Sequence, residues 1–189
     1  MMILRVAHRV PRTTAEGPGT RYAVWVQGCS IRCAGCCNPE MFDASGGDEH
    51  EVEALAAEID AADVDGLTLL GGEPFEQAAS CGALARLVRA TGRSVMVFTG
   101  YVREELERRP DARALLAETD LLVDGPFDRT RPERTRRWIG SENQRIHHLT
   151  PRRETEASWT EGDQIVITLR RTALEVHGWP GARILGERR

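Results

Sequence analysis

Three cysteines fall within eight residues, Cys29, Cys33 and Cys36, separated by three residues and then by two. Three thiolates are one short of the four that close a four-iron, four-sulfur cluster built only to carry electrons. A cluster held by three leaves one iron free for an outside ligand, by the same logic that separates catalytic metal sites from closed structural ones. That spacing is an enzyme's arrangement.

Zinc and unliganded thiols are the competing readings. A zinc ribbon needs a second Cys/Cys or His/His pair, and the other cysteines are Cys37, adjacent to Cys36, and Cys81, alone in a helical stretch. Among His8, His50, His147, His148 and His177 only the adjacent pair His147–His148 is close in sequence, and adjacent residues rarely reach one metal together. A disulfide framework fits poorly with five cysteines and with an opening apolar run too short for a secretory leader. On spacing alone the iron–sulfur reading leads, with zinc and free thiols still open.

The chain of 189 residues has the length of one domain and can bury about 70% of its unfolded surface. With 25 cationic and 29 acidic side chains the formal charge is −4, so no general attraction to nucleic acid or an anionic membrane is expected. No apolar run is long enough to span a bilayer. Every cation is arginine and lysine is absent, which reads as compositional bias rather than a device. Free cysteines suit a reducing compartment, so a cytoplasmic location is expected.

The pattern then alternates. Ile3–Ala7, Tyr22–Gln27, Leu67–Leu70, Ser94–Phe98 and Leu121–Val123 read as strands. Glu51–Ala62, Glu76–Ala90, Val102–Arg108 and Ala112–Glu118 read as helices, the second with Cys81, Leu84, Leu87 and Val88 on one apolar face. Such alternation argues for a parallel α/β sheet, in which functional loops follow the C-terminal ends of strands. Residues 151–189 differ: Gln164–Leu169 and Ala173–His177 alternate with period two and read as a β-hairpin, packed on the same domain as residues 1–150.

Several blocks, in order, resemble the radical S-adenosylmethionine superfamily. They are Gly17-Pro18-Gly19-Thr20-Arg21 leading to Gln27-Gly28-Cys29; Asn38-Pro39; Gly71-Gly72-Glu73-Pro74; and Val97-Phe98-Thr99-Gly100-Tyr101. The stretch from Asp120 through Asp124-Gly125 and Phe127 to Trp138-Ile139-Gly140-Ser141 and Asn143-Gln144-Arg145 is most similar to the activating proteins of anaerobic ribonucleotide reductase. The resemblance implies a partial, open (βα) barrel and a [4Fe-4S] cluster on Cys29, Cys33 and Cys36, with S-adenosylmethionine on the fourth iron. It implies reductive cleavage to a 5′-deoxyadenosyl radical, driven by an external low-potential donor such as a flavodoxin or ferredoxin. The radical would then take a hydrogen atom from a glycine of a partner glycyl radical enzyme, the anaerobic reductase first among them. A radical enzyme acting on a different small molecule or peptide is the alternative.

The same resemblance assigns S-adenosylmethionine contacts. Gly71, Gly72, Glu73 and Pro74 follow the third cysteine by 35 residues and end a strand, where glycines let backbone approach a ligand closely. Glu73 either adds charge there or braces the loop, and Pro74 fixes the exit direction. Asn38 orients or caps the cysteine loop, Thr99 lines the pocket with Gly100, and Asp124 either faces the cofactor or a cation or forms an Asp-Gly turn. No residue is assigned as a catalytic acid or base. Cys37 stands where activators often have an aromatic residue and reads as a bystander, and Cys81 as a small core residue. The cluster Arg129, Arg131, Arg134, Arg136 and Arg137 is either a solvated loop or a docking surface.

Overall fold

The structure is a computed structural model that describes residues 1–151, 159–160, 166–169 and 174–177. Its centre is built from the short apolar runs β2 (Arg21–Val26), β4 (Gly66–Gly71), β5 (Ser94–Phe98) and β6 (Leu121–Asp124). These four lie side by side and parallel. Strands buried on both faces read as near-continuous hydrophobic stretches, as these do. The full sheet has seven strands in the order β3-β1-β2-β4-β5-β6-β7.

The expectation of a parallel sheet holds only for that centre. β1 (Ile3–Thr13) runs antiparallel to β2 and to β3 (Asp48–Glu51), and β7 (Arg145–His148) runs antiparallel to β6. The sheet is therefore mixed and open. Neither edge strand was legible as a strand, because Asp48–Glu51 has no apolar residue and Arg145–His148 only Ile146. Edges protected by charged side chains also discourage pairing between molecules. The far half of β1, through Arg9 and Arg12, extends beyond the expected Ile3–Ala7 for the same reason.

Alternation divides the sheet into two faces. Tyr22, Val24, Val26, Leu67, Leu69, Val95 and Val97 point to the side covered by α1 (Val52–Ala61), α2 (Ala78–Ala90), α3 (Arg103–Leu106) and α4 (Arg113–Ala117). There they pack with Leu55, Ile59, Cys81, Leu84 and Val88. Leu87, expected on that face, is instead 36% exposed, because it projects to the flank of the helix. The opposite face carries two smaller clusters, Ala23 with Trp25 and Met41, and Met96 with Leu121, Val123 and Ile139. Among the described residues no helix is long and apolar enough to cross a membrane.

Beyond the main sheet, β8 (Val166–Leu169) and β9 (Leu174–His177) pair antiparallel in a separate two-stranded sheet. The expected turn between them, Arg170–Thr172, lies outside the described residues.

Because β2, β4, β5 and β6 are parallel, Val26, Gly71, Phe98 and Asp124 all end at one edge. The loops after them are thus brought together by topology. The other edge is closed: the buried Arg21 side chain donates to Thr68 Oγ1 at 3.1 Å and Ser94 Oγ at 2.6 Å.

Candidate iron–sulfur site

Beyond Val26 the chain is pinched into a loop by its own return segment. Gly28 N donates to Met41 O at 2.9 Å and Cys29 N to Phe42 O at 3.3 Å. The buried Gln27 side chain donates from Nε2 to Glu40 O at 3.1 Å and Asp43 O at 2.7 Å. Within the loop Cys36 N donates to Cys33 O at 3.1 Å, closing a turn between the second and third cysteines. Cys29, Cys33 and Cys36 are free and half-buried, and Cys37 is exposed.

The facing wall is the end of β4. Gly72 N donates to Val26 O and Glu73 N to Gly28 O, both at 2.8 Å, so this turn lies backbone against backbone with the entrance of the cysteine loop. A Cβ on Gly72 would sit 2.3 Å from Gly28 O, a contact no side chain survives. Gly71 adopts φ +100°, in the left-handed half of conformational space where only glycine is at ease. The Gly-Gly pair is therefore required by this approach and is more than a generic turn.

Glu73 then braces the site. Its carboxylate is buried, and accepts from Phe75 N at 2.9 Å and Thr99 Oγ1 at 2.8 Å on Oε1, and from Gly100 N at 2.8 Å on Oε2. Those donors lie on the turns after β4 and β5, so one side chain joins two strand ends. Burial pushes Glu73 up to about 7 against the pull of these hydrogen bonds. These hydrogen bonds are the geometry of a brace between the two turns. A second carboxylate extends the brace to the cysteine loop: Glu76 Oε1 accepts from Ser30 N at 2.8 Å and Ser30 Oγ at 2.6 Å.

Between these walls lies a cleft lined by Cys29, Cys33, Cys36, Gly71, Gly72, Glu73, Thr99 and Gly100. Ile31, Phe42, Phe98, Gly125, Phe127 and Gln144 complete it. Among the described residues no three Cys, His, Asp or Glu side chains converge on one metal ion. Three thiols lining one cleft suit a polynuclear cluster in which each thiolate would take its own iron. Soft sulfur donors facing a bare glycine wall fit a [4Fe-4S] group with a second small ligand beside it. Burial pushes the Cys29 and Cys33 thiols up, whereas a hydrogen bond from Cys37 lowers Cys36 to about 6. Ligation of a cluster would require all three as thiolates.

Of the residues expected from sequence, the cysteines, Gly71, Gly72, Glu73 and Thr99 meet at the cleft, and Asn38, Pro74 and Asp124 do not line it. Asn38 N reaches Cys36 Sγ at 3.4 Å, holding the end of the loop. Pro74 is buried and opens the 3₁₀ turn Pro74–Gln77. The Asp124 carboxylate accepts from Arg103 N at 2.6 Å and Arg145 Nε at 3.0 Å, and His147 Nε2 lies 3.1 Å away. Its neighbour Gly125 takes φ +105° and does reach the cleft. Sequence reasoning gave no site role to Ser30 and Glu76; the signal was a second glutamate three residues after Glu73, on the same turn.

Residues 15–147 match the family described as a 4Fe-4S single cluster domain. The anaerobic ribonucleoside-triphosphate reductase-activating protein of Vibrio cholerae serotype O1 is 33% identical over 150 residues, covering 74% of this chain and 95% of that protein. Its namesake from Enterobacteria phage T4 is 29% identical over 143 residues, covering 72% of this chain and 88% of that one. Among solved structures, QueE from Escherichia coli covers 53% of this chain and 54% of its own with a TM-score of 0.45 and 18% identity.

Proposed function

The chain belongs to the family of anaerobic ribonucleoside-triphosphate reductase-activating proteins, and on that premise we propose that it is a radical S-adenosylmethionine activase whose partner is an anaerobic ribonucleoside-triphosphate reductase. The observation that supports this best is the meeting of three free thiols with the glycine-bare ends of β4 and β5 in one cleft. When bound there, a [4Fe-4S] cluster and S-adenosylmethionine supply reductive cleavage of the sulfonium carbon–sulfur bond and a 5′-deoxyadenosyl radical that removes hydrogen from a partner glycine.

The chain's own residues hold and shield. Cys29, Cys33 and Cys36 ligate three irons, and the pinch made by Gln27 and Gly28 keeps their loop in place. Gly71 and Gly72 offer backbone to the substrate's ammonium, with Thr99 and Gly100 beside them. Glu73 holds these two turns at a fixed spacing. Phe98 and Phe127 limit water in the cleft, which protects a reactive radical from side reactions. Asn38, Pro74 and Asp124 act by holding the loops that reach the cleft.

In this reading the mixed sheet with helices on one face is a partial, open (βα) barrel. Residues 1–150 form the radical S-adenosylmethionine domain, with the β8–β9 hairpin as an extension of it, while the rest of the expected extension over 151–189 lies largely outside the described residues. The protein works in the cytoplasm with an external low-potential donor such as a flavodoxin or ferredoxin. Anaerobic electron paramagnetic resonance on the reconstituted, reduced protein with S-adenosylmethionine and the reductase of its own organism tests the proposal. A glycyl doublet on the reductase is expected; 5′-deoxyadenosine without a doublet would refute the partner, and neither product would refute the chemistry.

A further inference from the structure

We infer that Arg32 and Arg129 form the docking surface through which an acidic electron-transfer protein reduces the cluster; this rests on the cluster reading above. The cysteine loop has one side turned to solvent, where Arg32, Ala34, Gly35 and Cys37 are exposed. An electron donor has to approach there, because tunnelling rates fall steeply with distance and the other side of the loop faces the cleft. Arg129 is brought to that side: a Cβ on Gly35 would lie 2.6 Å from its Cδ and 3.4 Å from its Cβ and Cγ. Its aliphatic stem thus runs along the loop, and the residue is exposed.

The connection between β6 and β7 that supplies Arg129 has five arginines against three carboxylates in residues 126–144, on a chain whose net charge is −4. Part of that charge is used internally. Arg131 reaches Glu142 at 3.5 Å, Arg136 donates to Gln144 O at 2.8 Å, and Arg137 stacks over Trp138 at 4.1 Å. Arg32 and Arg129 are exposed and have no ion pair among the described residues. Of the carboxylates in these segments, Glu133 is held by Thr135 and Arg136, whereas Asp43 and Asp128 bond locally to Ser45 and Thr130 and stay at the surface. Exposed cations beside the one solvent-facing edge of the cluster loop, on an otherwise acidic molecule, steer a negatively charged partner to that edge. Arginine also offers a planar fork that matches surface carboxylates.

The test is stopped-flow bleaching of the cluster in the reconstituted holoprotein, with a photoreduced acidic flavodoxin as one reductant and dithionite as the other. At low ionic strength the double variant R32E/R129E is expected to slow reduction by the flavodoxin by about tenfold or more, within the range of electrostatic steering. R32Q/R129Q falls between it and wild type, added salt slows wild type toward the variant, and dithionite reduces all three at the same rate. An unchanged flavodoxin rate in R32E/R129E overturns the inference, as does slowing by dithionite to the same extent. A variant that keeps its flavodoxin rate but no longer forms the glycyl radical would assign the surface to the reductase instead. Failure of dithionite to bleach wild type would refute the cluster reading itself.

Discussion

Glu73 and Asp124 are both fully buried carboxylates at the C-terminal ends of parallel strands, yet their surroundings are opposite. Glu73 accepts from two backbone amides and a hydroxyl and has no ion pair among the described residues, and burial raises its pKa to about 7. Asp124, although burial pushes it up, ends below the usual carboxylate range because Arg145, Arg103 N and His147 surround it. One end of the sheet edge faces the cleft and is held by neutral donors; the other fastens an edge strand, β7, through charge pairing. The difference separates residues that shape the cleft from residues that hold the frame around it, although both sets sit at strand ends.

The widest separation comes from removing a thiol. Cys33→Ala should lower 5′-deoxyadenosine formation to background and weaken the cluster's visible absorption, while leaving the apoprotein's folding free energy close to wild type, since Cys33 is only half-buried. Persistent 5′-deoxyadenosine in that variant would sink the cluster assignment. Asp124→Asn should do the reverse, cutting stability while the loaded protein still cleaves S-adenosylmethionine. Loss of charge-assisted bonds to a buried carboxylate costs about 1–3 kcal/mol, toward the lower end here because Arg145 is partly exposed. A denaturant titration reads it as a lower midpoint.

Glu73→Gln comes next. One side-chain oxygen becomes an NH₂ that must face Phe75 N and Thr99 Oγ1 or Gly100 N, so a donor meets a donor. The expected cost of about 1–3 kcal/mol falls on the spacing of the two turns, and S-adenosylmethionine binding should weaken by on the order of tenfold. Isothermal titration on the reconstituted protein checks this. An unchanged affinity would mean the brace is dispensable.

Much of this site was legible in the chain because its chemistry requires particular residue types at fixed spacing. Cys29, Cys33 and Cys36 are such a signal, and so is a Gly-Gly pair that no side chain can replace at 2.3 Å from Gly28 O. The central strands were legible because strands buried on both faces must be apolar, as Val95, Met96 and Val97 are. What escaped depends on partners distant in sequence. Nothing local to Asp124 announces Arg145, 21 residues away, and Ser30 meets Glu76 across 46 residues. β3 and β7 escaped because an edge strand is specified by its neighbour's open hydrogen bonds and not by its own hydropathy.

The two carboxylates should also bend the pH dependence of stability in opposite directions. Asp124 has a folded pKa below its unfolded value, so its contribution is fully present above about pH 4 and is lost as pH falls through the folded value. Glu73 has a folded pKa of about 7, above its unfolded value, so the folded state holds the extra proton between roughly pH 4.5 and 7. Stability therefore declines as pH rises across that window. Glu73→Gln should flatten the slope between pH 4.5 and 7, and Asp124→Asn the slope below pH 4. If both variants altered the same limb of the curve, the contrast between the two sites would be wrong.

The smallest effect isolates the outer brace. Ser30→Ala removes the 2.6 Å hydrogen bond to Glu76 and keeps the 2.8 Å one from Ser30 N. Glu76 is exposed, so water replaces the lost donor and the cost should be near the bottom of the hydrogen-bond range, about 0.5 kcal/mol. Global unfolding should barely move. Local opening of the cysteine loop should increase about twofold, the equivalent of that free energy, in amide exchange across residues 29–37 of the apoprotein. Exchange unchanged in the loop would leave the return segment, through Gln27, Gly28 and Cys29, as the support that fixes it.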